Sequence, residues 1–142
     1  MKKIFVDTNV WLRFLGADEP KQFEKCRCLF ERIEKGKFRT YTSTIVLLEI
    51  IYTLSSFYKI SKKEVIGDIE SILSVRNLTL IEKTSFIAGL KLFSQFQVKL
   101  ADCLIASQLP KEVVLCSYDQ EFKKIKGLIS YSPEEIIEKA KD

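Results

Sequence analysis

A chain of 142 residues, 46% of them hydrophobic, has the size and composition of one domain with a real core. It contains no histidine, which excludes a Ser-His-Asp triad, paired-histidine hydrolysis and histidine-ligated zinc as sources of activity. A formal net charge of +4 and a pI near 8.8 permit a nucleic-acid partner without demanding one.

Along the chain, Lys3 to Val6 reads as a short buried strand, and the turn Asp7-Thr8-Asn9 leads into a helix through Val10, Leu12, Phe14 and Leu15. Asp7 breaks the opening apolar run too early for a secretion signal, so a cytoplasmic protein is expected. A second helix follows Pro20, with Phe23, Cys26, Leu29, Phe30 and Ile33 on one face and Gly36 as its stop. Arg39 to Thr42 reads as a strand, and Ser43 or Thr44 can cap a helix from Ile45 to about Phe57. That helix is apolar nearly all round, which predicts a central position. Its apolar stretch, Ile45 to Leu54, is too short to span a bilayer and carries Glu49 in its middle, so no membrane association is expected.

Ser61 with Glu64 forms a capping-box pattern that opens a helix carried by Val65, Ile66, Ile69, Ile72 and Leu73. Leu78 to Ile81 reads as a strand, followed by helices near Ser85 to Phe96 and Ala101 to Leu109, the latter ended by Pro110. Val113 to Ser117 has the continuous apolar character of a buried parallel strand. A short strand near Leu128 to Tyr131 and an amphipathic helix from Pro133 complete the chain. Strands alternating with helices predict a single α/β domain over residues 1–142, with a mostly parallel central sheet flanked by helices.

The four cysteines read as reduced thiols. Cys26 and Cys28, two apart on a helix, do not share a face and make a poor zinc clip, while Cys103 and Cys116 sit in apolar surroundings as small core residues.

Four carboxylates stand out. Asp7 directly follows the first strand and Asp119 follows the Val113 to Ser117 strand, so both should emerge at the carboxyl edge of the sheet, where α/β folds hold their ligands; each also suits a helix N-cap. Glu49 lies among Ile45, Val46, Leu47, Leu48, Ile50 and Ile51, with no cation three or four residues away. Unless it takes up a proton, a distant salt bridge or a metal is needed to neutralise it, and a metal explains the residue better. Asp102 opens an otherwise apolar helix, where Lys99 can pair with it and a capping role is open. Four converging acids would repel one another, and a divalent cation relieves that repulsion. An all-oxygen set without histidine or thiolate points to Mg²⁺ or Mn²⁺.

These segments, taken in order, resemble those of PIN-domain ribonucleases, and among them the small VapC-type toxins of toxin–antitoxin systems. Ile4 to Val10 is similar to the family's opening strand with its first acid, and Ser43 to Ile50 to its helical glutamate. Leu100 to Ala106 resembles the segment of the third acid, and Leu115 to Phe122 the last motif strand with its hydroxyl and fourth acid. Cys103 stands where the family often has alanine, and Ser117 where threonine is common; neither change removes a ligand.

The resemblance implies a PIN-like fold, an RNA substrate, frequent homodimers, a cytoplasmic toxin and a cognate antitoxin whose tail covers the catalytic groove. Asp7 and Asp102 are then expected as direct metal ligands, with Glu49 and Asp119 completing the site directly or through water. Thr8, Asn9 and Ser117 are candidates for orienting the carboxylates or the attacking water, although turn and cap hydrogen bonding would use the same residue types. Arg13, Arg39 and Lys99 are candidates for RNA phosphates, and Trp11 for core or dimer packing. Two other readings stay open. One is a haloacid-dehalogenase-like phosphatase using Asp7, which lacks the second acid of such enzymes because Asn9 stands there; the other is an inactive PIN module that only binds RNA or protein.

Overall fold

The apolar triplet Ile4-Phe5-Val6 is fully buried within β1 (Lys2–Val6), as a strand covered on both faces requires. The computed structural model describes residues 2–16 and 20–140; Met1 and residues 141–142 of the expected domain therefore lie outside the described residues. Beside β1 run β2 (Phe38–Ser43) and β3 (Leu78–Ile81) on one side, and β4 (Val114–Cys116) and β5 (Ser130–Tyr131) on the other. All pairings are parallel and the order is β3-β2-β1-β4-β5, so the expected parallel sheet forms. The chain steps outward from β1 to β3, then crosses back to place β4 against the free edge of β1. The seam between β1 and β4 is thus the point where the winding reverses, with Val6 opposite Cys116 at its carboxyl end.

The helices are α1 (Thr8–Phe14), α2 (Pro20–Glu34), α3 (Thr44–Tyr52), α4 (Lys62–Leu73), α5 (Phe86–Gln95), α6 (Leu100–Gln108) and α7 (Pro133–Lys139). Trp11 of α1 is fully buried, packs edge-on against Phe14 and tilted against Phe30, and donates its indole N–H to the Thr42 hydroxyl on β2 at 3.1 Å. It is therefore a core residue. On α2 Cys26 is buried and Cys28 exposed, as the two-residue spacing predicts, and all four cysteines are free thiols.

The helix expected from Ile45 to Phe57 is corrected in two respects. Its α-helical part ends at Tyr52, and Thr53–Phe57 continues as a π-helical turn. Nor is it central, because Val46, Leu47, Ile50 and Leu54 are buried while Leu48 is 60% and Tyr52 72% exposed. An all-apolar sequence reports no preferred face, so periodicity could not separate a buried helix from one with an uncovered apolar side. The capping box expected at Ser61 is half formed: its hydroxyl accepts the Glu64 backbone N–H, without the return bond. The complete reciprocal box lies at Ser132 and Glu135, and it fixes where α7 begins.

Candidate active site

Asp7 leaves β1 at the seam, where its backbone N–H bonds the Cys116 carbonyl of β4 at 3.0 Å. It occupies the N-cap position of α1, yet its carboxylate makes no capping bond. Instead Oδ2 accepts the Ser117 hydroxyl at 2.7 Å. Ser117 in turn accepts from the Asp119 backbone N–H at 2.9 Å and from the Asn9 amide at 3.3 Å. Asn9 Oδ1 accepts the Tyr118 backbone N–H at 3.1 Å. Three of these side-chain bonds stitch the turn after β1 to the turn after β4, and the Asp119 N–H to Ser117 bond braces the latter internally.

The other acids approach from neighbouring elements. Glu49, half-buried on α3, accepts the Thr8 hydroxyl at 3.2 Å, and no described cation forms an ion pair with it. Asp119 caps the 3-10 turn Gln120–Lys124, accepting the Glu121 N–H at 2.9 Å. Asp102 lies in the first turn of α6 and is 3% exposed, whereas Lys99 takes the N-cap position, so the capping role open to Asp102 is not the one it fills. Its Oδ2 is buried without a hydrogen-bond partner.

Electrostatics ties the four together. Burial pushes the Asp7 carboxyl up to about 6, against the Ser117 and Thr8 hydrogen bonds, and the charges of Glu49 and Asp119 add to the rise. Burial likewise pushes Asp102 up to about 7, opposed by Lys99 and reinforced by Asp7, Asp119 and Glu49. Asp102 therefore feels the other three acids and Asp7 feels Glu49 and Asp119, although no three acidic or cysteine side chains among the described residues form a ready ligating cluster. In this structure Asp7, Glu49 and Asp119 are each turned toward a hydrogen-bond donor of the protein. The donor set still suits a hard cation: it is all carboxylate oxygen, and the orphaned Asp102 oxygen is left wanting a positive partner.

Of the basic candidates, Lys99 stands beside Asp102. Arg39 pairs with Lys3 near the start of β2, about 13 Å of strand before the carboxyl edge, so the structure does not bring it to the acids. Arg13 lines a separate cavity of about 480 Å³ between α1 and α2 with Phe14, Phe23 and Phe30. Sequence reasoning missed the side chain of Tyr118, whose hydroxyl bonds Glu134 of α7; the pattern Ser132-Pro-Glu-Glu135 was the available signal, since it fixes the helix start on which Glu134 rides.

A parallel α/β sheet carrying interacting acids at its switch point defines the class, and comparison with known proteins names the family. The family model for the PIN domain matches residues 4–128, and the chain belongs to that family. A VapC ribonuclease of Aquifex aeolicus is 29% identical over 134 residues, covering 92% of this chain and 96% of the relative. Among solved structures, VapBC2 from Rickettsia felis, bound to a DNA fragment from their promoter, matches with a TM-score of 0.69 at 23% identity, covering 92% of this chain and 98% of that one. VapC20 of Mycobacterium tuberculosis, a sarcin–ricin loop cleaving toxin, matches with a TM-score of 0.68 at 16% identity, over 89% of this chain and 96% of that one. Both structural likenesses bear on the fold, which is the PIN-like arrangement the motifs imply.

Proposed function

We infer that this protein is a divalent-metal-dependent endoribonuclease of the VapC type, acting as the toxin of a toxin–antitoxin pair. The observation that carries the reading is the buried Asp102 carboxylate oxygen without a hydrogen-bond partner, on a residue that feels the charges of Asp7, Asp119 and Glu49 at the sheet's switch point. Asp7 and Asp102 would hold Mg²⁺ or Mn²⁺, with Glu49 and Asp119 completing the set directly or through water. A divalent cation there supplies Lewis acidity toward a phosphate oxygen and toward the attacking water, which a protein without histidine needs. Ser117 keeps Asp7 oriented, Thr8 does the same for Glu49, and Asn9 holds the turn that carries Asp119. Lys99, exposed beside Asp102, is placed to attract an RNA phosphate.

A homodimer and a cognate antitoxin belong to the same reading. Their support is the similarity to VapC and VapBC2 together with exposed apolar side chains on two elements: Leu48, Tyr52 and Phe57 along α3 and its π turn, and Phe86, Ile87 and Phe93 on α5. A cytoplasmic site of action and a single domain spanning the chain complete it. No helix among the described residues is long and apolar enough to cross a membrane.

The phosphatase alternative is disfavoured by Asn9, which stands where a second acid is required and is committed through both amide atoms to the β4 turn. The deciding experiment is cleavage of a panel of structured and unstructured RNAs by the purified protein with Mn²⁺, Mg²⁺ or EDTA, beside a phosphomonoester substrate. Metal-dependent RNA cleavage that Asp102→Asn abolishes is the expected result. Phosphomonoester turnover, or an absence of both activities, would overturn the reading.

A further inference from the structure

The Tyr118 side chain leaves the active-site turn in the direction opposite to its neighbours' work. While Ser117 and Asp119 on either side bond to Asp7 and the following 3-10 turn, the Tyr118 hydroxyl donates to Glu134 Oε1 at 2.8 Å. The Cys26 sulfur of α2 lies 3.5 Å from the same hydroxyl. A phenol has one hydrogen, and Glu134 accepts it, so the Cys26 thiol is the donor to the phenolic oxygen. Tyr118 is half-buried, so its hydroxyl is held between the Glu134 carboxylate and the Cys26 thiol. Glu134 lies beyond residues 4–128, the span the PIN-domain family model matches.

We propose that Tyr118 is a positioning residue: through Glu134 and Cys26 it anchors the turn carrying Ser117 and Asp119 to α7 and α2, and thereby sets the placement of the Asp7 and Asp119 carboxylates. The proposal rests on the metal-site reading given above. The turn after β4 has three further side-chain anchors, Ser117 to Asp7, the Asn9 amide to Ser117 and the Tyr118 N–H to Asn9, and all lie on the site side. Tyr118 supplies the anchor from behind. Apart from the Ser117 N–H bond to the Tyr131 carbonyl of β5, the turn's other anchors are the residues it is meant to orient. Outer hydrogen bonds of this kind fix ligand geometry, and their loss weakens metal affinity by about 10–100-fold.

The test is Mn²⁺ titration by calorimetry on the full chain, with thermal unfolding and steady-state RNA cleavage on the same preparations. Tyr118→Phe and Glu134→Ala should each weaken Mn²⁺ binding about tenfold. The double variant should be no weaker than either alone, because one bond has been removed twice. Glu134→Gln, which retains an acceptor oxygen, should restore near-wild-type affinity. Tyr118→Phe should lower kcat at saturating metal while leaving the KM for RNA unchanged. Wild-type affinity in folded Tyr118→Phe would overturn the proposal, as would a fall in melting temperature with metal affinity and kcat unchanged. A wild-type chain that binds no Mn²⁺ would overturn the metal-site reading and this proposal together, an outcome separable from the others because it appears before any substitution is made.

Discussion

The hydroxyl of Ser117 reaches the carboxylate of Asp7 at 2.7 Å across 110 residues of sequence. Asp7 is 5% exposed and Ser117 3%, so water cannot readily replace this donor. Ser117→Ala therefore leaves a buried carboxylate short of a hydrogen bond and two donors, the Asp119 N–H and the Asn9 amide, short of an acceptor. The expected loss is about 1–3 kcal/mol in urea unfolding, with weaker Mn²⁺ binding. Ser117→Thr, which keeps the hydroxyl, should show neither effect, and equal stability of the alanine variant would contradict the network.

Stability of the metal-free protein should fall as pH rises. Asp7 and Asp102 titrate near 6 and 7 in the folded chain against an ordinary 3.8, so between those values the folded state holds more protons than the unfolded state. Stability contributed by the protonated forms is present at the acid end of that window and is lost as pH climbs through 6 and 7. Urea midpoints in EDTA should be higher at pH 5 than at pH 8 by an amount attributable to these two groups, which Asp102→Asn should reduce. Saturating Mn²⁺ should stabilise strongly at pH 8 and little at pH 5, since protonated carboxyls do not ligate. A flat profile in EDTA would show that the two acids are not raised.

Asp102→Asn should abolish metal-dependent cleavage and yet raise the melting temperature of the metal-free protein at pH 8. Lys99 holds the N-cap position of α6, so the helix start does not depend on the carboxylate. The substitution removes a buried charge that three other acids push upward in pKa. Activity exchanged for stability is the expected signature of a functional residue. A folded variant that still cuts RNA at the wild-type rate would remove Asp102 from the site.

Gly89 tests the packing behind the site. A Cβ built there would stand 2.3 Å from Leu104 Cδ2, on the helix that carries Asp102. Gly89→Ala should destabilise by about 1–3 kcal/mol through overpacking, despite alanine's better helix propensity. Pairing it with Leu104→Ala should recover less than the sum of the two losses. An isolated gain in stability from Gly89→Ala would mean that α5 and α6 do not approach this closely.

Most of the candidate site was legible because its residues contradict their surroundings. An acid straight after a buried strand, or inside an apolar helix, has few structural explanations, and Asp7, Glu49, Asp102 and Asp119 each met that description. The hydroxyl of Ser117 was visible from its place at the end of a strand. Strand order was not legible, because local pattern says where strands lie and not which edge of β1 receives β4. The exposed side of α3 escaped for a related reason: Leu48 and Tyr52 look no different in sequence from the buried Leu47 and Ile50. Tyr118 escaped because a tyrosine beside a strand end has many ordinary uses, and Glu134 is one of several acids at the start of α7.

The crossover that brings β4 to β1 also sets when the site can exist. As the chain leaves the ribosome, the first three strands can align with Asp7, Glu49 and Asp102 already synthesised, but β1 still has one naked edge. Ser117 and Asp119 arrive only with β4, and β4 must cover a long loop closure to reach its place beside β1. A nascent or truncated chain ending before Val114 thus has three of the four acids, an open strand edge, and no hydroxyl to hold Asp7. On the site reading proposed above, catalytic competence would be deferred to the closing fold of the sheet, and a partly made copy of this nuclease would be unarmed.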